Sequence, residues 1–122
     1  MTDKKHKAPL KPLKQEGLTQ SYASKRFEQY SLYAVDYGYY PLIHLISEFE
    51  KKECYMECSY IKKALDTNLK EMKDSGKMPA TYKIPTVKEE YLKMVKDKKW
   101  PFSEEKENNK IKLIKEKLDN VL

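Results

Sequence analysis

The apolar residues of this chain recur at steps of three and four, not two. Phe27, Tyr30, Ala34 and Tyr37 follow spacings of 3, 4 and 3, and so do Ile111, Ile114, Leu118 and Val121. Leu42, Leu45, Ile46 and Phe49 form a third stripe, and Cys54, Cys58, Ile61, Leu65, Leu69 and Met72 a fourth. A helix turns every 3.6 residues, so such spacings stack side chains on one face, whereas a half-buried strand needs strict alternation. Glycine reinforces the reading. It occurs only at positions 17, 38 and 76, too rarely for the frequent turns of a β-sandwich or barrel. The expected fold is all-α, a small bundle of four to five helices.

Punctuation residues place the boundaries. Residues 1–18 hold Pro9, Pro12 and Gly17 with no apolar period, and are expected to form a flexible, disordered basic arm before a single helical domain at 19–122. Thr19 or Ser21 is expected to cap the first helix, and Gly38 to end it in the left-handed conformation that glycine adopts freely. Pro41 suits the first turn of a second helix. Between Phe49 and Cys54 the apolar step is five, which swings the stripe off line. Either a continuous helix carries a stutter there, or the chain turns near Lys52–Cys54 into a hairpin; the hairpin is the favoured expectation. Residues 77–85, bounded by Pro79 and Pro85, are expected to run as an extended strap through Tyr82 and Ile84. Thr86 and Glu89 have the spacing of a capping box, and Ser103 followed by acidic residues reads as the start of a last helix.

Of the 122 residues 39% are hydrophobic and 36% charged, with a mean hydropathy of −0.89. The core must be thin, and one domain is the natural size. The net charge of +6 is unevenly spread. Within residues 1–14, Lys4, Lys5, Lys7, Lys11 and Lys14 oppose only Asp3, a net of +4, while the twenty basic and eighteen acidic groups of residues 15–122 leave +2. No apolar run approaches the roughly 20 residues of a membrane span, and no leader pattern follows the first lysines. Two cysteines are too few for a disulfide framework, so a reducing cytoplasm is the expected location. A single arginine among abundant lysine, tyrosine, isoleucine and asparagine fits an AT-rich genome, such as those of low-GC bacteria and their phages.

The segment Glu48-Phe49-Glu50 through Tyr55, Cys58, Ile61-Lys62 to Leu65 resembles the UVR-type helical hairpin of nucleotide-excision repair proteins and some bacterial adaptors. Cys58 stands where that pattern has alanine, and the turn lacks Asn, Asp or Gly. Over residues 48–65 the resemblance implies helix-pair packing and protein–protein contact, without catalysis.

Chemistry-bearing constellations are few. Cys54 and Cys58 lie four apart, but structural zinc needs four ligands and only His44 stands near in sequence, so both thiols read as small core residues and no metal or cofactor is expected. The glycines are isolated, and no phosphate loop or nucleophile motif is present. Carboxylates alternate with lysines as they do on solvated helix faces. The chain is therefore expected not to be an enzyme.

Six of the ten tyrosines fall between Tyr22 and Tyr40. Tyr30 and Tyr37 share the first apolar stripe, and Tyr33 and Tyr40 do not join it. Tyrosine offers a large contact area with little entropy loss and a hydroxyl that stays wet. Tyr33, Tyr39, Tyr40 and Trp100 are thus the expected protein-binding residues of a helical interaction module, monomeric or homodimeric. In a phage or mobile element it would serve as an accessory or inhibitory factor that occupies the surface of a partner such as a host defence complex. The alternative expectation is nucleic-acid binding, directly through phosphate contacts of the five arm lysines or through a ribonucleoprotein partner.

Overall fold

Five helices supply all the regular structure among the described residues of the computed structural model, 16–121 for the backbone and 22–118 for the side chains. They are α1 (Glu16–Tyr37), α2 (Tyr39–Lys51), α3 (Tyr55–Asp74), α4 (Lys88–Lys98) and α5 (Glu104–Val121). The all-α bundle expected from the spacing is what forms. The arm lysines at 4, 5, 7, 11 and 14 lie outside the described residues.

The second helix is the axle. Tyr40, Pro41, Leu42, Ile43, Leu45 and Ile46 are all buried, so α2 hides nearly its whole circumference and not a single stripe. The other four helices each contact it or a helix that does: α1 packs along α3, and α2 touches α1, α3, α4 and α5. Full burial of a Leu or Ile side chain contributes about 1.5–3 kcal/mol, so this short segment is a main source of the bundle's stability. From α1 come Tyr30, Tyr33 and Ala34, from α3 Cys58, Ile61, Ala64 and Leu65, and from α5 Ile111, Ile114 and Leu118. The α5 stripe thus docks on the bundle. Lys115 Nζ lies 2.7 Å from Glu48 Oε1 and pins that helix to α2.

Residues 49–54 form the hairpin turn and not a stutter. The Glu53 N–H donates to the Glu50 carbonyl at 3.0 Å and the Cys54 N–H to the Phe49 carbonyl at 2.8 Å. These are the two bonds of a Schellman C-terminus, whose C′ residue must be left-handed. Here that residue is glutamate, with φ 61°. The pattern repeats at the end of α3, with Gly76 at φ 79° and bonds from Gly76 to Lys73 and Lys77 to Met72. It repeats again after α4, with Lys99 at φ 56° and bonds from Lys99 to Lys96 and Trp100 to Val95. Gly38, at φ 88°, joins α1 to α2.

Two expected helix starts are corrected. α1 begins at Glu16, inside the expected arm, so Thr19 and Ser21 lie within the helix and do not cap it. α4 begins one residue past the capping-box register: Val87 is the N-cap, in extended conformation and with no side-chain bond to the helix, so Thr86 and Glu89 do not pair. Ser103 does cap α5, accepting a hydrogen bond from the Lys106 N–H at 3.3 Å. Residues 77–87 carry no helix or strand and Ile84 packs against the core as expected, but the run is not extended throughout: the Tyr82 N–H donates to the Pro79 carbonyl at 3.0 Å and closes a turn inside it.

Glu53 is exposed and gains nothing visible from its left-handed backbone, so Glu53→Gly relieves strain that a Cβ brings. The variant is expected to be more stable by about 0.5–1 kcal/mol in urea unfolding. Val87→Ser, which adds the missing cap, should stabilise by about 1 kcal/mol in the same assay.

Candidate functional site

The tyrosines divide by position on the bundle. Tyr30 and Tyr33 meet edge to face at 6.3 Å, and Tyr33 continues to Tyr37 at 6.1 Å. Tyr33 is only 8% exposed and Tyr40 only 7%. Both were expected to stand outside the core, and both are in it. The reason is that α1 is covered on more than one face, and α2 on nearly all, so a ring off the main stripe still finds packing partners. Tyr39 is half-buried, and its hydroxyl bonds the side-chain oxygen of Asn68, tying α2 to α3. Trp100 is 36% exposed.

Three of these four residues converge. Tyr39, Tyr40 and Trp100 line one half-open depression of about 140 Å³, together with Tyr91, Phe102 and Val95. Tyr40 is its floor: Phe102 stands edge-on to it at 5.0 Å with the planes 88° apart, and Tyr91 lies 5.7 Å away. The Schellman turn at Lys99 aims Trp100 back over α4, where it meets Tyr82 of the strap at 6.1 Å, with Lys98 Nζ above both rings. Burial raises the Tyr40 hydroxyl above its usual value, and the carboxylates of Glu104, Glu107 and Glu89 add to the effect. Tyr91 is pushed up to about 12, by burial first and then by Glu107. The Tyr40 end is thus acidic, although Lys110 Nζ holds Glu107 Oε2 at 3.1 Å. Sequence reasoning missed Phe102 and Tyr91 here. A signal existed for Phe102, since Trp100-Pro101-Phe102 sets two aromatics around a proline in an otherwise polar third of the chain.

A second cluster lies between α1 and α3. Arg26, the only arginine of the chain, is 1% exposed and so is Glu57. Arg26 Nε lies 3.5 Å from Glu57 Oε1, Tyr22 donates to Glu57 Oε2 at 2.9 Å, and the Tyr30 hydroxyl bonds Glu57 Oε1. Arg26 also reaches the Tyr22 hydroxyl at 3.2 Å and Gln29 at 3.0 Å. Burial is the largest influence and opposes the charge on Arg26, but Glu57, Tyr30 and Tyr22 together outweigh it and the guanidinium is held even more firmly protonated than usual. Such a pair adds little net stability, because desolvation offsets attraction, yet losing one partner strands a buried charge. Its geometry registers α1 against α3. Sequence reasoning passed over Glu57 as one more carboxylate on a charged face.

The cysteines stand apart from any ligand set. The Cys58 thiol is buried 3.5 Å from the Ile46 carbonyl and Cys54 sits at the head of α3, while His44 pairs with Glu48 at 2.8 Å. Among the described residues no three His, Cys, Asp or Glu side chains cluster as metal ligands would.

Glu57→Ala should destabilise by about 3–5 kcal/mol in urea unfolding, because it leaves Arg26 buried and unpaired. Burial, followed by Glu57, raises the Tyr22 and Tyr30 hydroxyls above the ordinary value of 10.0. The unfolded chain therefore loses these protons first, so stability is intact below about pH 10 and falls as pH rises past it. A spectrophotometric tyrosine titration should show these two groups ionising only as the helices melt. No family model, curated protein or solved structure matches the chain, and the likeness to the UVR-type hairpin rests on residues 48–65 alone.

Proposed function

We propose that the chain is a non-enzymatic helical interaction module that engages a protein partner through the aromatic depression between α2, α4 and the α4–α5 corner. The observation that carries this reading is the convergence of Tyr39, Tyr40 and Trp100 with Phe102 and Tyr91 on one half-open surface. Trp100 and Phe102 keep more than a third of their surface exposed, although apolar cover is scarce in so polar a chain. Rigid aromatic rings that need little further ordering are the side chains in which binding energy concentrates. Tyr40 contributes by holding Phe102 in place more than by its own small exposed edge. Tyr33 touches Tyr37 but does not itself line the depression, so in this reading it supports the α1 side of the core.

Burial of the one arginine supports a protein partner over sequence-specific nucleic acid. Base readout relies on arginine more than on any other side chain, and here that guanidinium is spent inside the bundle.

Trp100→Ala and Phe102→Ala alter exposed groups, and the circular dichroism of both variants should match that of the parent. Each is expected to weaken capture of the partner from source-cell extract at least about tenfold, the usual weight of an aromatic anchor. Leu32→Ala, at an exposed site on α1, should capture normally. Equal capture by all three variants would remove the depression from the reading.

A further inference from the structure

The depression has an aromatic floor and an acidic end, and the chain itself contains a segment of complementary chemistry. Ala8-Pro9-Leu10-Lys11-Pro12-Leu13-Lys14 places prolines three apart between lysines, and residues 1–14 carry a net charge of +4. A polyproline helix repeats every three residues, so Pro9 and Pro12 share one edge of it, and aromatic-lined grooves take up such an edge because little entropy is lost. Glu89 and Glu104 are exposed and near enough to Tyr40 to act on its hydroxyl, and their charge is opposite to that of Lys11 and Lys14. Lys98 lies over the Trp100 ring at the other end, and within the depression Lys110 pairs with Glu107, which leaves Glu89 and Glu104 as the carboxylates that a cationic segment would meet.

Reach decides which copy supplies the segment. α1 has 22 residues, about 32 Å at 1.5 Å per residue, and the depression adjoins its far end at Tyr37 and Gly38. Pro9 precedes Glu16 by seven residues, which span at most about 25 Å when fully extended. The segment therefore falls short of the depression on its own bundle.

We propose that the Pro9–Lys14 segment of one copy docks in the Tyr40–Trp100–Phe102 depression of a second copy, giving a weak self-association sensitive to salt. This rests on the reading of the depression as a binding surface and names a ligand for it. The protein partner of that reading would then compete with the arm for one site.

Trp100, the only tryptophan, lies on the rim, and residues 1–15 contain neither tryptophan nor tyrosine. A synthetic peptide of residues 1–15 can therefore be titrated into dilute full-length chain while tryptophan emission is followed. The expected result is a saturable change that weakens at least about tenfold when Pro9 and Pro12 of the peptide are replaced by alanine. Raising salt from about 0.05 to 0.5 M should weaken it further, because the pairing groups are exposed. Glu104→Lys, an exposed change that leaves the rings alone, should also lower affinity. In sedimentation, the full-length chain should associate with rising concentration and the Pro9→Ala/Pro12→Ala chain should not. No saturable response, or equal responses to the two peptides, overturns the proposal. If the arm peptide fails while Trp100→Ala and Phe102→Ala still abolish partner capture, the self-association is wrong and the binding surface stands.

Discussion

Residues 40–46 must be shielded from water on almost every side, and the rest of the molecule is arranged to do it. A helix apolar around its whole circumference cannot lie on a bundle's surface, so it becomes the centre, and the remaining helices need only one apolar face each. α3 returns along α2 through the Glu53 turn, α1 lies along α3, and α5 closes the last side with Ile111, Ile114 and Leu118. The scarcity of hydrophobic residues in the chain is met by this geometry. One short helix serves as the partner of several stripes at once, so a thin inventory still makes a continuous core.

What was legible in the sequence followed from period and from punctuation. The stripes at 27–37, 58–65 and 111–118 face the core because a spacing of three and four leaves no other arrangement. The hairpin at 52–54 followed from a step of five, without a turn residue to announce it. Four helices are followed by a residue of positive φ, and only Gly38 and Gly76 look like one in sequence; Glu53 and Lys99 adopt the conformation because the hydrogen bonds of the turn and the packing beyond it outweigh about 1 kcal/mol of steric cost. The capping box failed for a similar reason. Thr86 and Glu89 have the right spacing, but the chain leaves the strap one residue later, and local spacing cannot sense where a strap must leave the core.

The less legible part was two-sided burial. Tyr33 and Tyr40 fall off the main stripe of their neighbourhood, which suggested display, and the structure encloses them because α2 is covered all round. Arg26 was invisible for the opposite reason. A charged residue is taken as solvated unless its partner is known, and Glu57 lies 31 positions away on another helix. The one available hint was compositional: a chain that uses lysine at every other cationic position keeps arginine where a planar, multiply donating group is needed among Glu57, Tyr22 and Gln29. Lysine has the charge but not the fork.

The depression follows from how the chain crosses the head of α2. After the left-handed turn at Lys99, the backbone must pass from α4 to α5 over Tyr40, and it does so as Trp100-Pro101-Phe102. Phe102 covers the Tyr40 ring edge-on and keeps more than a third of its own surface exposed. Trp100 packs instead on Tyr82, itself only half-buried, and is exposed to a similar degree. Pro101 between the two rings locks one backbone dihedral of the corner. A corner that needed only closure would be served by a smaller side chain at position 100. The ring there meets Tyr82 and Lys98 and keeps more than a third of its surface exposed, and a partly exposed aromatic of this size is the kind of group whose remaining surface a second chain could bury.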